Sequence, residues 1–101
     1  MPLAKVKDVR PGMDGIELVA TVVRVSRPEK VKTRFGDAER AVAQVRDETG
    51  TISLKLWREQ VRLVRAGDTV KLEGAFAVEF GGELELNVGS RGRIITIKRG
   101  C

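Results

Sequence analysis

Aromatic residues are scarce in this chain of 101 residues: Phe35, Trp57, Phe76 and Phe80 are all it has. Phe76 and Phe80 stand four apart, and Trp57 follows Lys55 by two. Flat rings beside cations suit one kind of chemistry that makes and breaks no bonds. A second flat, negatively charged molecule lies against the rings while its anionic groups meet the cations. Other chemistries are poorly supplied. There is no His, no Tyr and a single Cys at position 101, which removes the commonest general base, the commonest zinc ligand and any internal disulfide framework. Asp47 and Glu48 are adjacent acids, but on a turn they shape the backbone rather than work as an acid/base pair. The expectation is a binding module with no catalysis, no metal and no cofactor.

The charge is unevenly spread. Against a formal net charge of +5, residues 24 to 46 carry seven cations and three acids, residues 47 to 85 carry five cations and eight acids, and residues 86 to 101 carry four cations and no acid. A basic segment of this kind is the footprint of a polyanion binder, and a solvated basic face looks the same. With 42% hydrophobic and 33% charged residues, the chain is too apolar for a disordered tail and too interrupted by charge to span a bilayer. The length predicts a single domain over 1–101 with an ordered core of about 6–98. Met1-Pro2-Leu3-Ala4-Lys5 lacks the apolar stretch of a secretory signal, so the expected location is the cytoplasm.

Apolar residues alternate between Gly and Pro punctuation, so strands must position the rings. The first is expected at Ile16 to Ser26, where Ile16, Leu18, Ala20 and Val22 share one parity and Val23 and Val25 take the other, as in a strand bent to serve both halves of a barrel. The second is expected at Glu39 to Arg46, with Ala41, Ala43 and Val45 on one face, and the third at Thr51 to Trp57, with Ile52, Leu54 and Leu56 inward. Arg58 to Arg65 predicts a short helix ended by Gly67, packing Val61, Leu63 and Val64. The fourth strand spans Thr69 to Phe80, Gly81-Gly82 turns the chain, and the fifth spans Glu83 to Val88 before a Gly89-Ser90-Arg91-Gly92 turn and the apolar Ile94, Ile95 and Ile97. Arg27 to Asp37, charged and containing Pro28, reads as a loop. These pieces predict an all-β, five-stranded Greek-key barrel of the OB type with a short helical or loop insertion between strands 3 and 4. An SH3-like barrel is the competing arrangement.

Strict alternation puts Trp57 opposite Ile52, Leu54 and Leu56, facing outward. A lone aromatic at a strand end can instead fold over the barrel rim as a lid. Phe76 and Phe80 are on one face, and counting from Val70 and Leu72 sends that face inward. Only a bulge at Gly74, which adds a residue and reverses parity, brings the pair outward. The residues leave both arrangements open. With the bulge, an indole, two phenyl rings and neighbouring cations form one surface suited to single-stranded nucleic acid. Bases stack on aromatic faces for about 1 to 3 kcal/mol each with little regard to sequence, whereas a duplex hides its base faces. Arg27, Lys30, Lys32, Arg34, Arg40, Arg46 and Lys55 are candidates for a phosphate track, with Phe35 at a loop tip as an extra stacking residue. Four neutralised phosphates imply a log-log salt slope of about −3.

Short motifs in order strengthen this reading. Val6-Lys7-Asp8-Val9-Arg10-Pro11-Gly12-Met13, Asp47-Glu48-Thr49-Gly50-Thr51-Ile52, Leu54-Lys55-Leu56-Trp57, Gly67-Asp68, Glu73-Gly74-Ala75-Phe76, Phe80-Gly81-Gly82 and Leu86-Asn87-Val88-Gly89 together resemble the archaeal single-stranded DNA-binding proteins with one OB fold. That family is related to a DNA-binding domain of replication protein A and to the small human single-stranded DNA-binding proteins of the damage response. The resemblance implies base-stacking aromatics at the end of the third strand and twice in the fourth, here Trp57, Phe76 and Phe80, and a role in DNA replication, recombination and repair. Phe76 stands where Trp or Tyr is familiar, which softens stacking, and Asn87 stands where some relatives carry a further aromatic. The long flexible C-terminal tail by which relatives recruit replication or repair partners is absent from these residues, which implies a truncated chain or a relative without that role. Cys101 is either an appended residue or an exposed thiol able to couple two chains. The expected partner is single-stranded DNA, with no membrane partner. Single-stranded RNA stays open because stacking and phosphate contacts do not see the 2′-hydroxyl, and a peptide-docking OB domain is the reading from another class.

Overall fold

The computed structural model describes residues 3–100; Cys101, and with it the thiol reading, lies outside the described residues, as do Met1 and Pro2. Six strands follow a short 3-10 turn at Val6–Asp8: β1 (Ile16–Val25), β2 (Glu29–Thr33), β3 (Gly36–Asp47), β4 (Gly50–Trp57), β5 (Thr69–Phe80) and β6 (Glu83–Lys98), with α1 (Gln60–Leu63) between β4 and β5. The sheet order β1-β5-β6-β4-β3-β2 closes on itself through β1 and β3, so five strands form a ring and β2 is an outrigger.

Alternation built the ring largely as expected. Ile16, Leu18, Ala20 and Val22 are buried from β1, Ala41, Ala43 and Val45 from β3, and Ile52, Leu54 and Leu56 from β4. The core is aliphatic throughout, with no aromatic ring among its buried residues. β1 pairs with β5 along Ile16 to Thr21 and with β3 along Thr21 to Val25, and its register slips between Val22 and Arg24. Val23 is the extra residue of that bulge and stays exposed, while Val25 packs against the core. The expected switch of parity thus applies to Val25 alone.

Three expectations need correction. Arg27 to Asp37 is not a loop: β2 and the start of β3 make a hairpin with Arg34 and Phe35 at its tip, pairing Lys30 with Glu39 and Lys32 with Asp37. Charge that looked like solvated loop is spread over opposed cross-strand positions, an arrangement that strands tolerate well. The expected turn at Gly89 to Gly92 lies inside one continuous strand of 16 residues, β6. The helix is shorter than Arg58 to Arg65; Val61 and Val64 are buried, but Leu63 is exposed.

β5 and β6 hold the feature that matters most for the exterior. Across their ladder Glu73 pairs with Arg93 and Ala75 with Val88, so Gly74 alone faces the four residues Gly89 to Gly92. On its other edge the same stretch slips against β1, where Ile16 pairs with Ala75 and Leu18 with Leu72. Gly74 takes φ +68°, a conformation that L side chains rarely adopt, and an added Cβ would lie 3.1 Å from the Cα of Gly92. At Gly92 a Cβ would meet the Glu73 carbonyl oxygen at 2.6 Å and Val88 Cγ1 at 2.8 Å. Two backbones cross here at a distance only glycine allows. Below the crossing Val70 and Leu72 point inward, and above it Ala75 and Ala77 do.

Candidate nucleic-acid interface

The parity reversal at Gly74 turns Phe76, Val78 and Phe80 outward, 37%, 39% and 71% exposed. Of the two arrangements open from alternation, the bulged one is found. Ladder register then lines up the exterior. Phe76 faces Asn87 and Val78 faces Glu85 across β5 and β6. Asn87 and Glu85 face Lys55 and Ser53 through the parallel β6–β4 pairing. Lys55 and Ser53 face Val42 and Gln44 of β3, and Trp57 faces Arg40. One side of the barrel therefore carries Trp57, Phe76 and Phe80 on a common exterior spanning four strands.

Trp57 is half-buried, and what holds it is visible. The indole N–H donates to Asn87 Oδ1 at 3.4 Å, across the outer face. Its backbone N–H donates to Gln60 Oε1 at 2.9 Å while Gln60 Nε2 donates to the Val88 carbonyl at 2.7 Å, so one glutamine ties the end of β4 to β6. The Arg40 guanidinium lies 5.8 Å from the centre of the indole, within cation–π range. Next to the ring a cleft of about 340 Å³ is lined by Trp57, Arg58, Gln60, Val88, Gly89 and Ser90, with Glu59. The indole lies along the sheet exterior rather than over the rim as a lid.

The cations divide into groups. Arg46 is exposed on β3 in line with Arg40, Val42 and Gln44. Arg40 reaches Glu29 Oε1 at 2.6 Å on the hairpin. Lys30 and Lys32 are exposed on the hairpin face opposite to Arg40, Arg27 is exposed in the β1–β2 connection, and Arg34 and Phe35 project at the tip, the phenyl ring 82% exposed. Lys55 sits inside the aromatic face, 3.1 Å from Glu85 Oε1 and 5.3 Å from the centre of the Phe80 ring. Sequence reasoning missed three participants here, Gln60, Glu85 and the link of Asn87 to Trp57. The alternation of Glu83, Glu85 and Asn87 against Leu84, Leu86 and Val88 held a signal for the outward set, but the partners across a parallel pairing did not show.

Below this face the Asp47 turn clasps the N-terminal segment. Burial by itself raises the Asp47 carboxyl, but donation from the Thr49 hydroxyl and from the Val6 and Thr49 backbone N–H groups, with the Lys5 ammonium nearby, holds it below the usual carboxylate range. The acid pair that could have suggested catalysis is thus spent on structure, with Glu48 paired to Lys5 at 3.1 Å. Among the described residues no helix is long and apolar enough to cross a membrane.

Comparison with known proteins agrees with this architecture. A structure of an OB domain from Thermoplasma acidophilum superposes with TM-score 0.83 at 19% identity, covering 98% of this chain and 90% of that one. The second OB-fold domain of replication protein A from Methanococcus maripaludis superposes with TM-score 0.80 at 20% identity, covering 99% of each. These likenesses establish the OB fold and exclude the SH3-like alternative. In sequence, the single-stranded DNA binding protein Ssb of Saccharolobus solfataricus is 32% identical over 90 residues, 89% of this chain and 61% of that protein. The chain thus spans about three-fifths of that relative's length. The model for the single-stranded DNA binding protein Ssb-like OB fold matches residues 9–96, the ring up to the last two residues of β6 and its aromatic face, and the chain belongs to that family.

Proposed function

We propose that this chain is a non-catalytic module that binds single-stranded DNA with little sequence preference, stacking bases on Trp57, Phe76 and Phe80. Phosphates follow the cations of the β1–β2 connection, the hairpin and β3, namely Arg27, Lys30, Lys32, Arg34, Arg40 and Arg46, while Lys55 lies within the face among the bases and Phe35 is a further platform at the tip. The observation that carries the reading is the reversal of parity at Gly74, which sets two phenyl rings on the same exterior as the indole. A folded protein leaves flat apolar rings in water at low cost only where something flat covers them part of the time. Three platforms supply about 3 to 9 kcal/mol before the cost of ordering a flexible strand. Membership of the Ssb-like family supports the same ligand. On this reading the protein coats or protects single strands on the nucleoid during replication, recombination and repair.

The test is fluorescence anisotropy of a labelled oligo-dT with unlabelled competitors. Matched single-stranded DNA should compete fully and duplex weakly, with a log-log salt slope of about −3 if four phosphates are neutralised. A salt-insensitive affinity contradicts the phosphate track. Preference for matched RNA overturns the choice of DNA.

A further inference from the structure

The cations near the rings are not equally free to meet a phosphate. Arg40 shares its charge with Glu29, but that carboxylate is 63% exposed at the rim, and an exposed pair exchanges partners at small cost. Lys55 and Glu85 differ. Their side chains are 18% and 15% exposed, their charged atoms 3.1 Å apart, and the ammonium also faces the Phe80 ring. Glu85 is fixed in the middle of the face, with Ser53 on one side and Val78 on the other. A phosphate that took Lys55 would leave this carboxylate uncompensated in a half-dry position, which is costly. A phosphate that approached without displacing it would meet a pair of no net charge. Glu83, exposed opposite Phe80 where β5 turns into β6, places more negative charge on the same side, whereas Lys30, Lys32 and Arg34 of the hairpin and Arg46 of β3 have no ion-pair partner among the described residues.

We infer that Glu85 withholds Lys55 from the phosphate backbone. This rests on the single-strand reading above and adds a division of labour to it. The centre of the face receives bases, with Lys55 as the neutralised floor beside Phe80, and the phosphates are confined to the side of β3 and its hairpin. Glu85 thereby lowers both the affinity and the salt dependence that a bare count of cations implies.

The experiment measures affinity of the full chain for oligo-dT against salt, for wild type, Glu85→Gln and the double variant Glu85→Gln/Lys55→Met, with far-UV circular dichroism to check folding. Releasing Lys55 adds one phosphate contact, so Glu85→Gln should bind more tightly at low salt and its log-log slope should steepen by about 0.7. Between about 50 and 200 mM salt that is about 2.5-fold more affinity lost than in wild type. The double variant should return to the wild-type slope, because the added contact runs through Lys55. An unchanged slope in Glu85→Gln overturns the inference, and so does steepening that survives in the double variant, which would mark a general charge effect. Wild type that binds single strands normally beside either result leaves the parent reading standing, whereas wild type that binds none removes both.

Discussion

The barrel has two exteriors that meet at the Gly74–Gly92 crossing, and both expose apolar side chains. On the lower one, Lys71 faces Ile95 and Glu73 faces Arg93; Ile95 and Ile97 are 37% and 55% exposed. Glu73 neutralises two cations there, its carboxylate oxygens 3.1 Å from Lys71 and 3.2 Å from Arg93, while Lys98, opposite Thr69, has no ion-pair partner among the described residues. The upper exterior has rings in place of isoleucines, and the cations along its β3 edge include Arg46, without an ion-pair partner among the described residues. Exposed aliphatic residues are ordinary on protein surfaces. What separates the two faces is flatness, and only one of them offers a nucleotide flat rings for its bases beside a counter-charge for its phosphate.

The largest effect should come from breaking the crossing that makes the faces different. Gly92→Val would drive a side chain into the Glu73 carbonyl and Val88, so we expect at least about 3 kcal/mol of destabilisation by denaturant unfolding, since overpacking a fitted site commonly costs 1 to 3 kcal/mol and backbone clash adds to it. Gly74→Ala, strained by its positive φ, should cost about 1 to 2 kcal/mol. Next in size are the rings. Trp57→Ala, Phe76→Ala and Phe80→Ala should each weaken oligo-dT binding by about 1 to 3 kcal/mol in anisotropy titrations, with the fold retained by circular dichroism, whereas Ile95→Ala on the lower face should leave binding unchanged. Equal losses from both faces would erase the distinction.

The smallest effect concerns the spent charges. Hydrogen bonding from Lys71, against a raising contribution from burial, and the Lys71 and Arg93 charges hold the Glu73 carboxyl below its usual value of 4.5. A carboxylate depressed in the folded state contributes stability that is present above the unfolded value and lost as pH falls through the folded one. The melting temperature of wild type should therefore slightly exceed that of Glu73→Gln at neutral pH, and the gap should close as pH drops below about 4.5. DNA affinity of Glu73→Gln should match wild type at pH 7.

Much of this was legible in the chain because period-two alternation reports directly on which way a strand's side chains point. Ile52, Leu54 and Leu56 against Trp57 gave the outward direction of one ring, although alternation left open whether it folds over the rim. Gly74 marked a place where parity could reverse, but whether it did depended on Gly92, eighteen positions on in a segment that reads as a turn. The hairpin from Glu29 was hidden because Lys30 with Glu39 and Lys32 with Asp37 look like solvated charge until register pairs them. The links that organise the site, Trp57 to Asn87 and Lys55 to Glu85, join residues thirty positions apart across two parallel strands, and no local pattern carries a contact of that kind.

The central claim is that the indole and the two phenyl rings of the upper exterior are landing places for unpaired bases. Trp57 is the only tryptophan in the chain, so its fluorescence reports on the site alone, and titration with oligo-dT tests the claim most directly. A stacked base should quench the emission saturably, with Phe76→Ala and Phe80→Ala shifting the midpoint to higher oligonucleotide concentration and matched duplex giving little change. Emission that stays constant through the titration, in protein shown to be folded, would contradict the account.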